Sequence, residues 1–284
     1  MKMDCKTVCA LYAVCAVTLI EVYVCRSGFS PAKPTRPAPE SPAPPRSPFE
    51  VCVLTSARPG NASYLGESLD ALEREGVIML DVTVVDTDGA GKFALQRFPG
   101  AKAPDVRGLR TIADCVDDGK DVATGVPCRV MQSNYDVSMA LALCSSAAAV
   151  RGRDWVLVVE DDAVACPGSL KVVRAMLDGA SVDPRVCLIF FAKFSRSYAI
   201  RATHALDLLA SVRMAAAAKP YDWVLGSRVW SGQALRTDSS TSLFEHVGEV
   251  STASYRNEQG FQEAHEELRG ERCGQQLVVE RDIT

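Results

Sequence analysis

The chain reads as an α/β domain built on a mostly parallel central sheet. Three observations predict this. Residues 155–159, Trp-Val-Leu-Val-Val, are an unbroken apolar run rich in β-branched side chains, the pattern of a strand buried on both faces. Comparable short runs recur at 50–55, 81–85 and 186–191. Stretches with helical periodicity separate them, so strands and helices alternate.

The elements follow in order. Residues 50–55 give a first strand. Residues 63–75 give a helix with Leu65, Leu69 and Leu72 on one face and Glu67, Asp70 and Arg74 on the other. A second strand at 81–85 runs into Asp86-Thr87-Asp88-Gly89, and a polar stretch containing Gly and Asp continues to Pro127. Residues 136–150 form an Ala-rich helix, and 155–159 the central strand. Residues 169–177 form a helix with Ser169 as its cap. A buried strand at 186–191 is followed by helices at 205–218 and 223–230. Ligands of such sheets collect outside the carboxyl ends of the strands. Asp86 and Glu160-Asp161-Asp162 fall there.

The N-terminus predicts a membrane context. Residues 7–25 are apolar except for Glu21, with Lys2 and Lys6 before them and Arg26 after. This is just long enough to span a bilayer. The small-x-small pattern of a cleavage site is poor at Val24-Cys25-Arg26, so a signal anchor is favoured over a cleaved signal peptide. Residues 1–6 are then a cytosolic tail, and the large domain behind the anchor lies in the lumen, in a type II orientation. Residues 26–48 hold eight prolines and read as an extended stem. The globular domain is expected at 49–260, and residues 261–284 form a polar tail.

Composition narrows the function. The net charge is −4, and no basic block exists to bind nucleic acid. Of eleven cysteines, seven lie beyond the apolar segment, none with zinc-site spacing. In an oxidising lumen some would pair, and Cys115 with Cys128 could close a short loop. Alternatively Cys52, Cys144 and Cys187, inside apolar runs, are buried free thiols. Asn61-Ala62-Ser63 is a glycosylation sequon.

Three carboxylates at the end of a buried strand repel one another, and a divalent cation is the usual compensation. Glu160-Asp161-Asp162 has three readings. It is a strand end entering a turn at Pro167-Gly168, the acidic pocket of a receiver domain, or the metal–diphosphate site of a nucleotide-sugar transferase. The receiver reading demands an acceptor Asp ending a later strand, where Ser211 and Val212 stand instead. In the transferase reading Asp162 binds Mn²⁺ or Mg²⁺, and Glu160 or Asp161 orients ribose or metal-bound water. The metal neutralises the charge that grows on the diphosphate leaving group.

Several motifs, in order, resemble the N-acetylglucosaminyltransferase IV family of Golgi enzymes that branch N-glycans. They are Ser63-Tyr-Leu-Gly-Glu-Ser-Leu-Asp-Ala-Leu72, Asn134-Tyr135-Asp136, Glu160-Asp161-Asp162, Lys219-Pro220-Tyr221-Asp222-Trp223-Val224-Leu225 and Ser242-Leu-Phe-Glu-His246-Val-Gly248. Residues 154–164 are also similar to the corresponding stretch of the transferase that adds N-acetylgalactosamine to GPI anchors. The Asp222-Trp223 motif favours the first family.

The resemblance implies a GT-A-like fold, a UDP-sugar donor such as UDP-N-acetylglucosamine and an inverting mechanism. The acceptor would be a glycan hydroxyl on a glycoprotein or glycolipid, and the setting a Golgi or ER membrane. Inversion needs one general base. Asp222 is the candidate, with a helix N-cap as its alternative role. His246 is implied as a metal or phosphate ligand, or else a buried structural His. Asp86 contacts the nucleoside or simply forms a turn. Lys193 and Arg196 reach phosphates or are surface cations. The branching enzymes continue into a further carbohydrate-binding domain with no counterpart here, which leaves the acceptor preference open. A catalytically inactive lumenal glycan-binding protein on the same fold is a third reading.

Overall fold

The computed structural model describes residues 47–55, 64–86, 91–104, 128–192, 197–215, 221, 224–225, 235–238, 241–247 and 273–274. Eight strands and five helices are formed among them: β1 (Phe49–Thr55), α1 (Leu65–Arg74), β2 (Val82–Asp86), α2 (Lys92–Leu95), α3 (Cys128–Val150), β3 (Trp155–Glu160), β4 (Ala163–Ala165), α4 (Ser169–Ser181), β5 (Val186–Phe190), β6 (Ser197–Arg201), α5 (Ala205–Ala215), β7 (Leu235–Asp238) and β8 (Phe244–His246).

The main sheet has the order β2-β1-β3-β6-β5-β7. β1 runs parallel to both β2 and β3, and β5 parallel to β7, while β6 is antiparallel to its two neighbours. The expected α/β architecture with a mostly parallel sheet is therefore present, with one reversed strand in its middle. An antiparallel neighbour to β3 does not suit a receiver domain, whose doubly wound sheet is parallel. β4 and β8 pair in a separate two-stranded ribbon.

Both faces of the sheet are covered, which is why the strands read as continuous apolar runs rather than alternating ones. Phe49, Val51, Val53, Trp155, Leu157 and Val159 face α1 and α4, where Leu65, Leu69, Leu72, Leu170, Val173 and Leu177 are buried. Cys52, Val156, Val158 and Tyr198 face α3 and α5 on the other side. Each buried Val, Leu or Phe adds about 1.5–3 kcal/mol of transfer free energy.

Several elements depart from the sequence reading. α3 begins at Cys128 rather than at 136, so Asn134 and Asp136 lie inside it, both buried. Burial against the sheet has overridden the preference of Asn for a cap. β6 was not foreseen. Its five residues follow a polar stretch and are buried through Ser197–Ile200, so no alternation marks them. β4, β7 and β8 are as short or shorter and equally silent in the sequence. Of the helix expected at 223–230, Val224 and Leu225 are helical, and the remainder lies outside the described residues.

Ser169 opens α4 but does not cap it. Its hydroxyl is buried without a hydrogen-bond partner among the described residues, and the cap position is Gly168 in the left-handed region. Glu75, at the end of α1, takes the role from a distance. Its two carboxylate oxygens accept from Gly168 N at 2.9 Å and Leu170 N at 3.3 Å. A carboxylate is favoured there by the partial positive charge of the helix N-terminus.

Two disulfides are formed among the described residues. Cys52 on β1 and Cys144 on α3 form a disulfide across the α3 face of the core, and Cys166 joins Cys273. Of the three apolar-run cysteines, Cys187 is buried and outside these disulfides. Cys115 and the sequon at Asn61 lie outside the described residues, as do residues 7–25. Among the described residues no helix is long and apolar enough to cross a membrane.

A buried charge network closes the amino end of β1. Arg153 Nη1 donates to Glu50 Oε2 at 3.0 Å and to Phe49 O at 2.8 Å, and its Nη2 reaches Asp81 Oδ1 at 2.5 Å. Arg151 also bonds Glu50, and Thr83 donates to it at 3.0 Å. Burial nevertheless holds the Glu50 carboxyl above its usual range, outweighing Arg151, Thr83 and Arg153.

Candidate active site

Strand order reverses beside β1. The chain moves from β1 to β2 on one side, and later places β3 on the other. Crevices outside the carboxyl ends of strands at such a switch point are where open α/β sheets hold ligands. Three carboxyl ends meet here in register: Thr55 opposite Asp86, and Leu54 opposite Glu160.

The acidic triplet is split by the strand end into three environments. Glu160 is the last residue of β3 and only partly buried. It has the parity of Val156 and Val158, so its side chain lies on the α3 and α5 face, where it accepts a hydrogen bond from the hydroxyl of Tyr221. Asp161 is 2% exposed. Its backbone N–H continues the ladder to Leu54 O at 3.0 Å, and Oδ2 accepts from Thr55 Oγ at 2.5 Å. Asp161 thereby ties β3 to β1. Of the two candidates for ribose or metal water, Glu160 is the more exposed.

Asp162 turns into the small ribbon. Ala163 pairs with His246 in the β4–β8 ladder, and Val247 N donates to Asp162 O at 3.0 Å. This ladder brings His246 Nε2 to 3.2 Å from Asp162 Oδ2, with both side chains 9% exposed. The other ring nitrogen of His246 is buried and has no hydrogen-bond partner among the described residues. Two further contacts hold the ribbon. Ser68 on α1 donates to Ala163 O at 3.1 Å, and Leu243 N donates to Phe191 O at 2.9 Å just beyond β5.

Asp86 lies two strands from β3 on the same edge, about 10 Å away at ordinary strand spacing. Its Oδ2 accepts from Gly91 N at 3.0 Å, closing the loop that follows β2. A Cβ on Gly91 would stand 2.5 Å from Leu65 Cδ2 and 3.3 Å from Asp86 Oδ2, so the close approach requires glycine unless buried Leu65 shifts. Asp222, Lys193 and Arg196 lie outside the described residues. Tyr221, the neighbour of Asp222, is described, and its hydroxyl bonds Glu160 at the carboxyl end of β3.

The structure thus brings together Glu160, Asp161, Asp162 and His246, with Asp86 at the same edge. Sequence reasoning missed Thr55 and Tyr221. Tyr221 occupies the variable position of the Lys-Pro-x-Asp motif, where motif matching assigns nothing. Thr55 acts only through the parallel register of β1 and β3. Tyr198, on β6 beside Glu160, is buried, and its phenol is held well above the usual tyrosine range by burial and then by the charge of Glu160.

The donor set suits a divalent cation held partly by substrate. Asp162 supplies a hard oxygen and His246 an imidazole nitrogen. Among the described residues no group of three or more His, Cys, Asp or Glu side chains could hold a metal alone. Remaining positions would fall to phosphate oxygens and water, the usual arrangement for Mg²⁺ at phosphate sites.

Comparisons with family models and with curated proteins returned no match. Solved structures similar to this chain include glucosyl-3-phosphoglycerate synthase from Mycobacterium tuberculosis in complex with Mn²⁺, UDP and glucosyl-3-phosphoglycerate, at 13% identity and a TM-score of 0.42, covering 76% of this chain and 75% of that one. A glycosyltransferase involved in glycosylation of the major capsid of PBCV-1 is similar at 11% identity and 0.39, covering 76% and 99%. A cytidylyltransferase from Leptospira borgpetersenii is similar at 12% and 0.37, covering 67% and 76%. Likenesses of this size leave function to be argued from the residues of the site.

Proposed function

We propose that the protein is a metal-dependent, inverting glycosyltransferase that uses a UDP-sugar. One observation carries the reading. At the switch point of the sheet, the acid triplet that ends β3 meets a histidine delivered from 84 residues further along the chain, through the β4–β8 ladder. A strand end entering a turn has no need of that partner.

Asp162 and His246 would hold Mn²⁺ or Mg²⁺, which, when bound, neutralises charge on the leaving diphosphate. Glu160, on the open side of the triplet, hydrogen-bonds the ribose. Asp161, locked to Thr55, keeps β1 and β3 in register beneath the nucleotide. Asp86 faces the nucleoside from β2. Asp222 is the proposed base that takes the acceptor hydroxyl proton.

The finer assignment rests on the five ordered motifs. They support UDP-N-acetylglucosamine as donor and a glycan hydroxyl of a glycoprotein as acceptor, in a type II Golgi or ER enzyme. Two disulfides support an oxidising lumen. The similarity of residues 154–164, which span β3 and most of β4, supports the GPI-glycan N-acetylgalactosamine transferase as a second reading.

A panel of UDP-sugars with and without Mn²⁺, read by UDP release, tests the proposal and separates the two donors. Release that depends on metal and disappears in Asp162→Ala is expected. A protein that neither binds nor hydrolyses any UDP-sugar is no transferase, and the inactive lumenal binding protein would take its place.

A further inference from the structure

We infer that Tyr221 is a positioning residue for Glu160, and this rests on the transferase reading above. A glutamate ending a strand has three rotatable bonds and, unaided, no fixed orientation for its carboxylate. Tyr221 supplies one constraint. Its ring is buried among Val224, Leu225 and the side chains of the α3 and α5 face, so the hydroxyl is a donor fixed in space. That hydroxyl donates to Glu160 Oε1.

The surroundings strengthen the contact. Tyr198 lies on the neighbouring strand with its phenol buried and without a hydrogen-bond partner among the described residues. Glu160 therefore has two phenols in its neighbourhood, and Tyr221 bonds it. In such a weakly polar setting a hydrogen bond to a carboxylate is worth more than in water. The same bond ties Tyr221 to the end of β3. The next residue in the chain is Asp222, so one hydroxyl links the strand that holds the donor to the segment proposed to activate the acceptor.

Tyr221→Phe keeps the ring and removes only the hydroxyl. UDP affinity by calorimetry in Mn²⁺, kcat and KM for the UDP-sugar, and the unfolding midpoint are to be compared for wild type, Tyr221→Phe, Glu160→Ala and the double variant. The expected result is about a tenfold loss of kcat/KM in Tyr221→Phe with an unfolding midpoint within a few degrees of wild type. The double variant should be no worse than Glu160→Ala alone, because both remove one interaction. Wild-type kinetics in Tyr221→Phe, or two losses that multiply in the double variant, would overturn the Tyr221 assignment while leaving the transferase reading intact. A wild-type protein that binds no UDP overturns both.

Discussion

His246 Nε2 and Asp162 Oδ2 lie 3.2 Å apart because Ala163 and His246 are paired partners in a two-stranded ribbon. Removing the imidazole should therefore act on metal-dependent binding alone. His246→Ala is expected to weaken UDP binding in Mn²⁺ by about 10- to 100-fold. Binding without Mn²⁺ should match wild type. Equal affinities in Mn²⁺ would leave His246 a structural residue.

Thr55→Val preserves the shape of the side chain and deletes the hydroxyl bonded to Asp161. A buried carboxylate then loses a donor, at a cost of about 1–3 kcal/mol. Denaturant unfolding should show a lower midpoint with an unchanged slope. No change in midpoint would mean that the contact between β1 and β3 carries little energy.

The charge network at the amino end of β1 gives a pH-dependent signature. The Glu50 carboxyl is raised from 4.5 by burial, so the folded state holds that proton more tightly than the unfolded chain does. Its stabilising contribution is present below that unfolded value and is lost as pH rises through the folded one. Glu50→Gln cannot titrate. The midpoint of wild type minus that of Glu50→Gln should fall as pH rises from about 4 to 7. A difference that grows with pH would reverse the assignment. Arg153→Ala, which takes the nearest cation from Asp81 and leaves Glu50 with Arg151 and Thr83, should cost about 3–5 kcal/mol near pH 7 and less as pH falls towards 4.

Peptide mapping without reduction should recover Cys52 with Cys144 and Cys166 with Cys273, and should find Cys187 as a thiol. The Cys52→Ala, Cys144→Ala double variant is expected to lose about 2–5 kcal/mol of stability. Recovery of Cys52 or Cys144 alkylated in the unreduced native protein would contradict the core disulfide.

The parts of this fold that were legible in the sequence are those set by local pattern. The run Trp155–Val159 announced a doubly covered strand, and Leu65, Leu69 and Leu72 a helix with one apolar face. What was hidden depends on partners far along the chain. Ser169 offered a nearby cap, yet Glu75, held by packing of α1, satisfies the N-terminus of α4. Cys52 and Cys144 each read as core thiols, since their surroundings are apolar whether or not they are joined. β6 has neither alternation nor a turn signal of its own, and its place is defined by two neighbours. In the candidate site, Asp162 was visible from its triplet and His246 only by motif resemblance. Thr55 lies in no motif and Tyr221 at the variable position of one, so both emerge from register and packing.

β1 has a different duty at each end. Glu50 sits in the arginine network at one, and five residues on Thr55 grips Asp161 at the other. Nothing in the chemistry proposed for the upper end draws on the lower. The strand is therefore a natural seam for exchange. Loops and even the carboxylate set above Thr55 can be replaced with those of another donor specificity, while Glu50, Asp81 and Arg153 keep the graft foldable.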